Sequence, residues 1–206
     1  MRPAQFFGVL FGLQAALIGA GQGLLFLLRR DDLLSGLRPG LPLSMILGVG
    51  GGAGLVGALV VLGLYRFSPA YAGAVRPVVE LFRRTPRSWL WVAAVASPFG
   101  EEMFFRGALQ PVIGLFWSAL TFGLLHTGFR RENLAYGLTA AGIGLLFGLS
   151  YQFLGELWAP VVAHAVYNVL MAVALPVPLT SGASFGMMSL AVERRNQAYG
   201  RQALRP

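Results

Sequence analysis

Six apolar runs, each about 20 residues long, alternate with short polar segments along this chain of 206 residues: about 4–28, 41–65, 88–108, 109–128, 134–154 and 157–176. A hydrocarbon core ~30 Å thick needs a helix of about 20 apolar residues. The pattern therefore predicts an all-α, polytopic membrane protein with about six transmembrane helices. The third and fourth runs are separated only by Gly107–Gly114, where Pro111 and the flanking glycines permit a tight reversal. The first run follows Arg2 but is longer than the ~7–15 apolar residues of a signal peptide and shows no small-residue cleavage pattern, so it reads as a retained span.

The polar segments differ in charge. With six spans, the N-terminus, segment 66–87, the turn 129–133 and the tail share one face, and they carry Arg2, then five, two and four arginines. The opposite face has Arg29, Arg30 and Arg38, partly offset by Asp31 and Asp32, together with Glu156. An excess of arginine marks the cytoplasmic side, so the expected placement is the plasma (inner) membrane with both termini cytoplasmic. Segment 66–87 sets Val78, Val79, Leu81 and Phe82 among Arg76, Arg83 and Arg84, the pattern of an amphipathic helix lying in the interface against anionic headgroups. The chain then divides into 1–87 (two helices and the basic loop), a core at 88–176 and a C-terminal cytoplasmic tail at 177–206. Within 177–192, glycine and serine are too frequent for a seventh span.

Composition narrows the function classes. The chain is 56% hydrophobic and only 12% charged, far below the roughly 25% charged content of soluble domains. It has no cysteine, which removes disulfides, thiolate metal sites and a cysteine nucleophile. All 16 basic residues are arginine, but no basic block with interleaved aromatics occurs, so no nucleic-acid partner is expected. The glycine clusters GVGGGAGLVG (48–57) and GLTAAGIGLLFG (137–148) are the small-residue patterns that let membrane helices approach closely.

Three polar islands interrupt the apolar runs: EEMFFR (Glu101–Arg106), FGLLH (Phe122–His126) and HAVYN (His164–Asn168). Ionisable side chains at membrane depth are costly and mark functional sites by default. On a helix Glu102 and Arg106 stand at i and i+4 with the glutamate N-terminal, the favourable order for an ion pair. Glu101 points about 100° away and is left as a free carboxylate. Phe122 and His126, and likewise His164 and Asn168, lie one turn apart on a helical face. Counted along the spans, Glu101 and His164 agree in depth, whereas His126 falls nearer the cytoplasmic end, so convergence requires the fourth helix to be tilted, broken or displaced. Pro98 and Gly100 are placed to loosen the helix one turn ahead of Glu101, where water must reach the site.

Intramembrane proteolysis is one chemistry that uses such a set. The zinc type needs HExxH, which is absent, and the aspartate type needs intramembrane aspartates, whereas the only ones are Asp31 and Asp32 in a loop. A serine type built on Ser184 would need a later histidine, and none follows His164. The glutamate type remains. In order and spacing the three islands resemble the EExxxR, FxxxH and HxxxN motifs of the CPBP family, the CAAX-prenyl-protease and bacteriocin-processing intramembrane proteases.

That resemblance covers about 88–175 and implies roles. Glu101 would activate water with help from His126. His164 and Asn168 would stabilise the oxyanion, and Glu102, Arg106 and Phe122 would support the site. The implied partners are the lipid bilayer and a membrane-associated peptide, with prenylated C-termini and bacteriocin leaders both open as substrates. Family members are usually named metalloproteases, and Glu101, His126 and His164 could form a three-ligand zinc site or work without a metal. Two other classes stay open: a non-proteolytic scaffold or immunity protein of the same fold, and a small proton-coupled transporter using Glu101 and the histidines as a relay.

Overall fold

A computed structural model describes residues 2–30, 33, 37 and 40–174. The tail 177–206 with Ser184, the segment 177–192, and Asp31, Asp32 and Arg38 lie outside the described residues. Every regular element among those described is helical. Helix α1 (Pro3–Leu27) opens with proline at its first position, where the missing N–H is no loss. Helix α2 (Leu43–Phe67) is followed by two short helices, α3 (Pro69–Ala74) and α4 (Arg76–Arg84). Then come α5 (Arg87–Glu102), a π-helical segment (Met103–Leu109), α6 (Gln110–Ile113), α7 (Leu115–His126), a 3-10 turn leading into α8 (Leu134–Leu154), and α9 (Trp158–Ala174). By length and composition α1, α2 and the stretch Arg131–Leu154 can cross a membrane, and α7 and α9 are shorter apolar helices. The protein is an all-α polytopic membrane protein.

Three expectations need correction. The reversal between the third and fourth runs is not spread over 107–114. The chain stays helical through Gly107 and Pro111 and turns at Gly114, whose φ of 84° suits glycine. The wider turns of the π segment lie immediately before Pro111, where the helix gives up an N–H donor and must make room for the ring. Second, the loosening expected at Pro98 and Gly100 is absent: both are buried inside α5, and the irregular turns begin only after Glu102. Third, segment 66–87 forms two helices, because Ser68 caps α3 by accepting the Tyr71 N–H at 3.2 Å and the chain restarts at Val75.

Helix α2 packs most extensively on α9, and α7 on α8. Gly50 and Gly54 make the first contact possible: a Cβ at either would overlap a backbone carbonyl of α9, Ala159 or Ala163. The close approach fixes α9, which carries His164 and Asn168. Gly54→Ala is expected to destabilise the protein by about 1–3 kcal/mol, as overpacking of a tight interface does. Gly51→Ala, whose Cβ meets nothing within 4 Å, serves as the control. Thermal unfolding in detergent reads the difference; equal midpoints for the two variants would contradict this packing role.

Candidate active site

The π segment and the start of α6 are joined to α8 by a repeated clasp. Arg106 donates from Nη2 to the Gly144 carbonyl at 2.8 Å, and one turn on Gln110 donates to the Gly148 carbonyl at 3.0 Å. Nη1 of Arg106 lies 2.8 Å from both carboxylate oxygens of Glu102 and donates to Oε1. The expected i, i+4 pair therefore forms, with both side chains buried. The guanidinium also sits among three rings, 4.9 Å from Phe122 and 5.9 Å from Phe105 and Phe147, an arrangement that attracts a cation.

Glu102 has a second partner that local spacing did not indicate. Nδ1 of His164 lies 2.7 Å from Glu102 Oε1, and because the carboxylate accepts, that nitrogen carries the hydrogen. One buried carboxylate thus links the arginine of the first island to the histidine of the third, and it fixes the orientation of the imidazole. Phe147 packs on the same ring with centroids 5.1 Å apart.

Glu101 faces the other way, as its angular offset implies. Its side chain is 15% exposed where that of Glu102 is 0%, so Glu101 is the carboxylate that reaches open space. Its Oε2 is 3.9 Å from Nε2 of His126 and has no hydrogen-bond partner among the described residues. Nδ1 of His126 sits 2.8 Å from the Phe122 carbonyl and must donate to it, so the neutral ring presents the lone pair of Nε2 towards Glu101. The displacement required of the fourth span is met by the late turn at Gly114. Helix α7 is 12 residues long, roughly 18 Å, and ends on His126. Phe122 packs on His126 with centroids 4.2 Å apart and the rings tilted by 39°, while its ring also covers Arg106, which accounts for the FxxxH spacing.

Glu101, His126, His164 and Asn168 all line one cavity of about 190 Å³. Two further wall residues escaped sequence reasoning. Ser97, one turn before Glu101, accepts a long 3.4 Å contact from Asn168 Nδ2, and its i−4 position was the available signal. Tyr136 of α8 lies with its ring centroid 5.9 Å from that of His126 and had no local signature. A second, apolar groove of about 550 Å³ runs between α2 and α8 and shares Val61 and Tyr71 with the first.

A divalent metal held by Glu101, His126 and His164 would need three donors gathered on one point. Among the described residues no three His, Asp or Glu side chains gather in that way. The residues present do not fit a three-ligand set.

Residues 83–170 match the family model described as Type II CAAX prenyl endopeptidase Rce1-like. All three motif islands fall inside that match, and α1, α2 and α3 fall outside it. A curated Bacillus subtilis (strain 168) protein described as "Uncharacterized protein YpbD" is 39% identical over 74 residues, which make up 36% of this chain and 39% of that protein. The chain thus matches about two-fifths of the length of this curated relative. No solved structure matches.

Proposed function

We propose that the protein, whose residues 83–170 match the Rce1-like family model, is an intramembrane endopeptidase that hydrolyses a peptide bond with a glutamate-activated water. The observation that carries this reading is the facing of two acceptors, Glu101 Oε2 and His126 Nε2, across 3.9 Å in a cavity that His164 and Asn168 also line. A water molecule bridges such a gap by donating one O–H to each side. As its oxygen attacks the scissile carbonyl carbon, one proton passes to Glu101 and the carbonyl π electrons move onto oxygen. The oxyanion then re-forms the carbonyl as the C–N bond breaks, Glu101 returns the proton to the departing nitrogen, and a carboxylic acid and an amine leave.

The developing oxyanion faces Asn168 Nδ2 and His164. Donating from His164 Nε2 requires a hydrogen there as well as on Nδ1, and Glu102 provides the negative charge that the doubly protonated ring faces. Donors fixed in place before the reaction are worth about 10²–10³ in kcat each. Asn168→Ala is expected to lose that much in kcat with KM changed only a few-fold, since the amide is needed after attack and not for substrate binding. Steady-state cleavage in detergent checks it; a loss confined to KM would contradict the oxyanion role.

For the substrate we propose a lipid-modified peptide presented from the bilayer. The apolar groove between α2 and α8 suits a hydrocarbon chain and adjoins the catalytic cavity at Val61 and Tyr71. The test is a pair of peptides of one sequence, with and without a prenylated cysteine. This substrate class predicts faster cleavage of the prenylated member, and equal rates would remove it. The arginine-rich loops put both termini in the cytoplasm on this reading.

A further inference from the structure

Helix α4 has two faces. Val75 at its N-cap and Val79 are buried, and with Val78 and Phe82 they line the same cavity as Glu101 and His126. The helix is therefore a roof over the site. On the outer face Arg76, Arg83 and Arg84 are exposed, followed by exposed Arg87, and only Arg84 has an acidic partner among the described residues, Glu80 at 3.0 Å. Leu81 stands exposed among these cations, and Phe67 is exposed at the end of α2. Because α4 connects the end of α2 to the start of α5, it lies where two apolar helices emerge, the level of the lipid headgroups.

We propose that the outer face of α4 docks anionic phospholipid headgroups, and that this docking holds the roof down over the cavity and slows its exchange with water. Charge complementarity identifies the occupant. Among the described residues Arg76, Arg83 and Arg87 have no carboxylate to meet, and a neighbouring apolar side chain suits the acyl boundary beneath phosphate. Zwitterionic headgroups offer no net charge, so lipid composition sets how firmly the roof is held. Access of water to the cavity is set by the roof whether or not the protein cleaves peptides.

The chain has no native cysteine, so a single reporter can be introduced without background. Ala93 lines the cavity and plays no part in the proposed chemistry. The full-length Ala93→Cys protein is placed in nanodiscs of phosphatidylcholine, with or without phosphatidylglycerol, and its modification by an uncharged, water-soluble maleimide is timed. The expected result is modification about fivefold or more slower with phosphatidylglycerol, the bias that one arginine near an anionic surface supplies. Adding R76Q, R83Q and R87Q should remove the difference, R83Q alone should reduce it, and R130Q with R131Q on a different loop should leave it intact. Equal rates in the two lipids would overturn the proposal. So would a difference that survives the triple substitution or vanishes equally with R130Q and R131Q. Inorganic phosphate reproducing the slow rate in phosphatidylcholine discs would assign the site to a free anion and overturn the lipid as occupant.

Discussion

Glu102→Ala is expected to destabilise the protein by about 3–5 kcal/mol, the cost of breaking a buried ion pair by removing one partner. Arg106 keeps only the Gly144 carbonyl and the surrounding rings, and His164 loses the acceptor 2.7 Å from Nδ1. Glu102→Gln retains an acceptor and should be milder, yet it should still lower the unfolding midpoint more than Glu101→Gln does. The double variant Glu102→Ala with Arg106→Leu separates two contributions. Removing both charges should recover much of the stability, because an apolar replacement of a buried pair is often near neutral. It should not recover activity, because nothing then orients the His164 ring. Thermal unfolding in detergent alongside peptide cleavage reads both quantities. Activity that returns together with stability would show that Glu102 does no more than neutralise Arg106.

Glu101→Gln should behave in the opposite way: little change in folding, and a loss of cleavage of about 10²–10⁴, the range attributed to a positioned general base. The amide is nearly isosteric, and its carboxylate predecessor has no hydrogen-bond partner on Oε2 to lose. What it cannot do is take the proton of the attacking water. His126 remains beside the gap but is tied through Nδ1 to the Phe122 carbonyl, and it does not replace a carboxylate. A folded Glu101→Gln protein with undiminished kcat would remove Glu101 from the chemistry.

The two adjacent carboxylates also show what the sequence makes legible. Their different partners followed from helical angle alone, since residues one apart point about 100° apart and residues four apart overlap. The glycine clusters were readable for a related reason, because the spacing of small residues marks a face that another helix must approach. The Glu102–His164 contact was not readable, since it spans 62 residues and depends on how α9 is rotated against α5. That rotation is set by Gly50 and Gly54 on a third helix, and no local rule connects the three. The position of the turn at Gly114 was lost for another reason. Gly107 and Pro111 are equally good breakers on paper, and the continuous helical stretch Met103–Ile113 that carries the chain past both is held by tertiary contacts of Arg106 and Gln110 with α8.

The shape of the site follows from these choices. A turn at Gly107 would have lengthened the following helix by two turns and carried His126 away from Glu101. Turning at Gly114 instead leaves α7 short and brings its last residue within 3.9 Å of the carboxylate. The same π segment turns Arg106 into α8, and through Glu102 this anchors the histidine of α9. Positioning of the two histidines therefore depends on one irregular stretch of helix placed immediately after Glu101 and Glu102.

The central claim is that Glu101 activates water for peptide hydrolysis. Its most direct test is cleavage of a library of prenylated peptides by the purified full chain in water enriched in oxygen-18, with products read by mass spectrometry. One heavy oxygen is expected in the new C-terminal carboxyl group with the wild-type protein, and product at background level with folded Glu101→Gln. The same labelled product at the same rate from Glu101→Gln would contradict the claim.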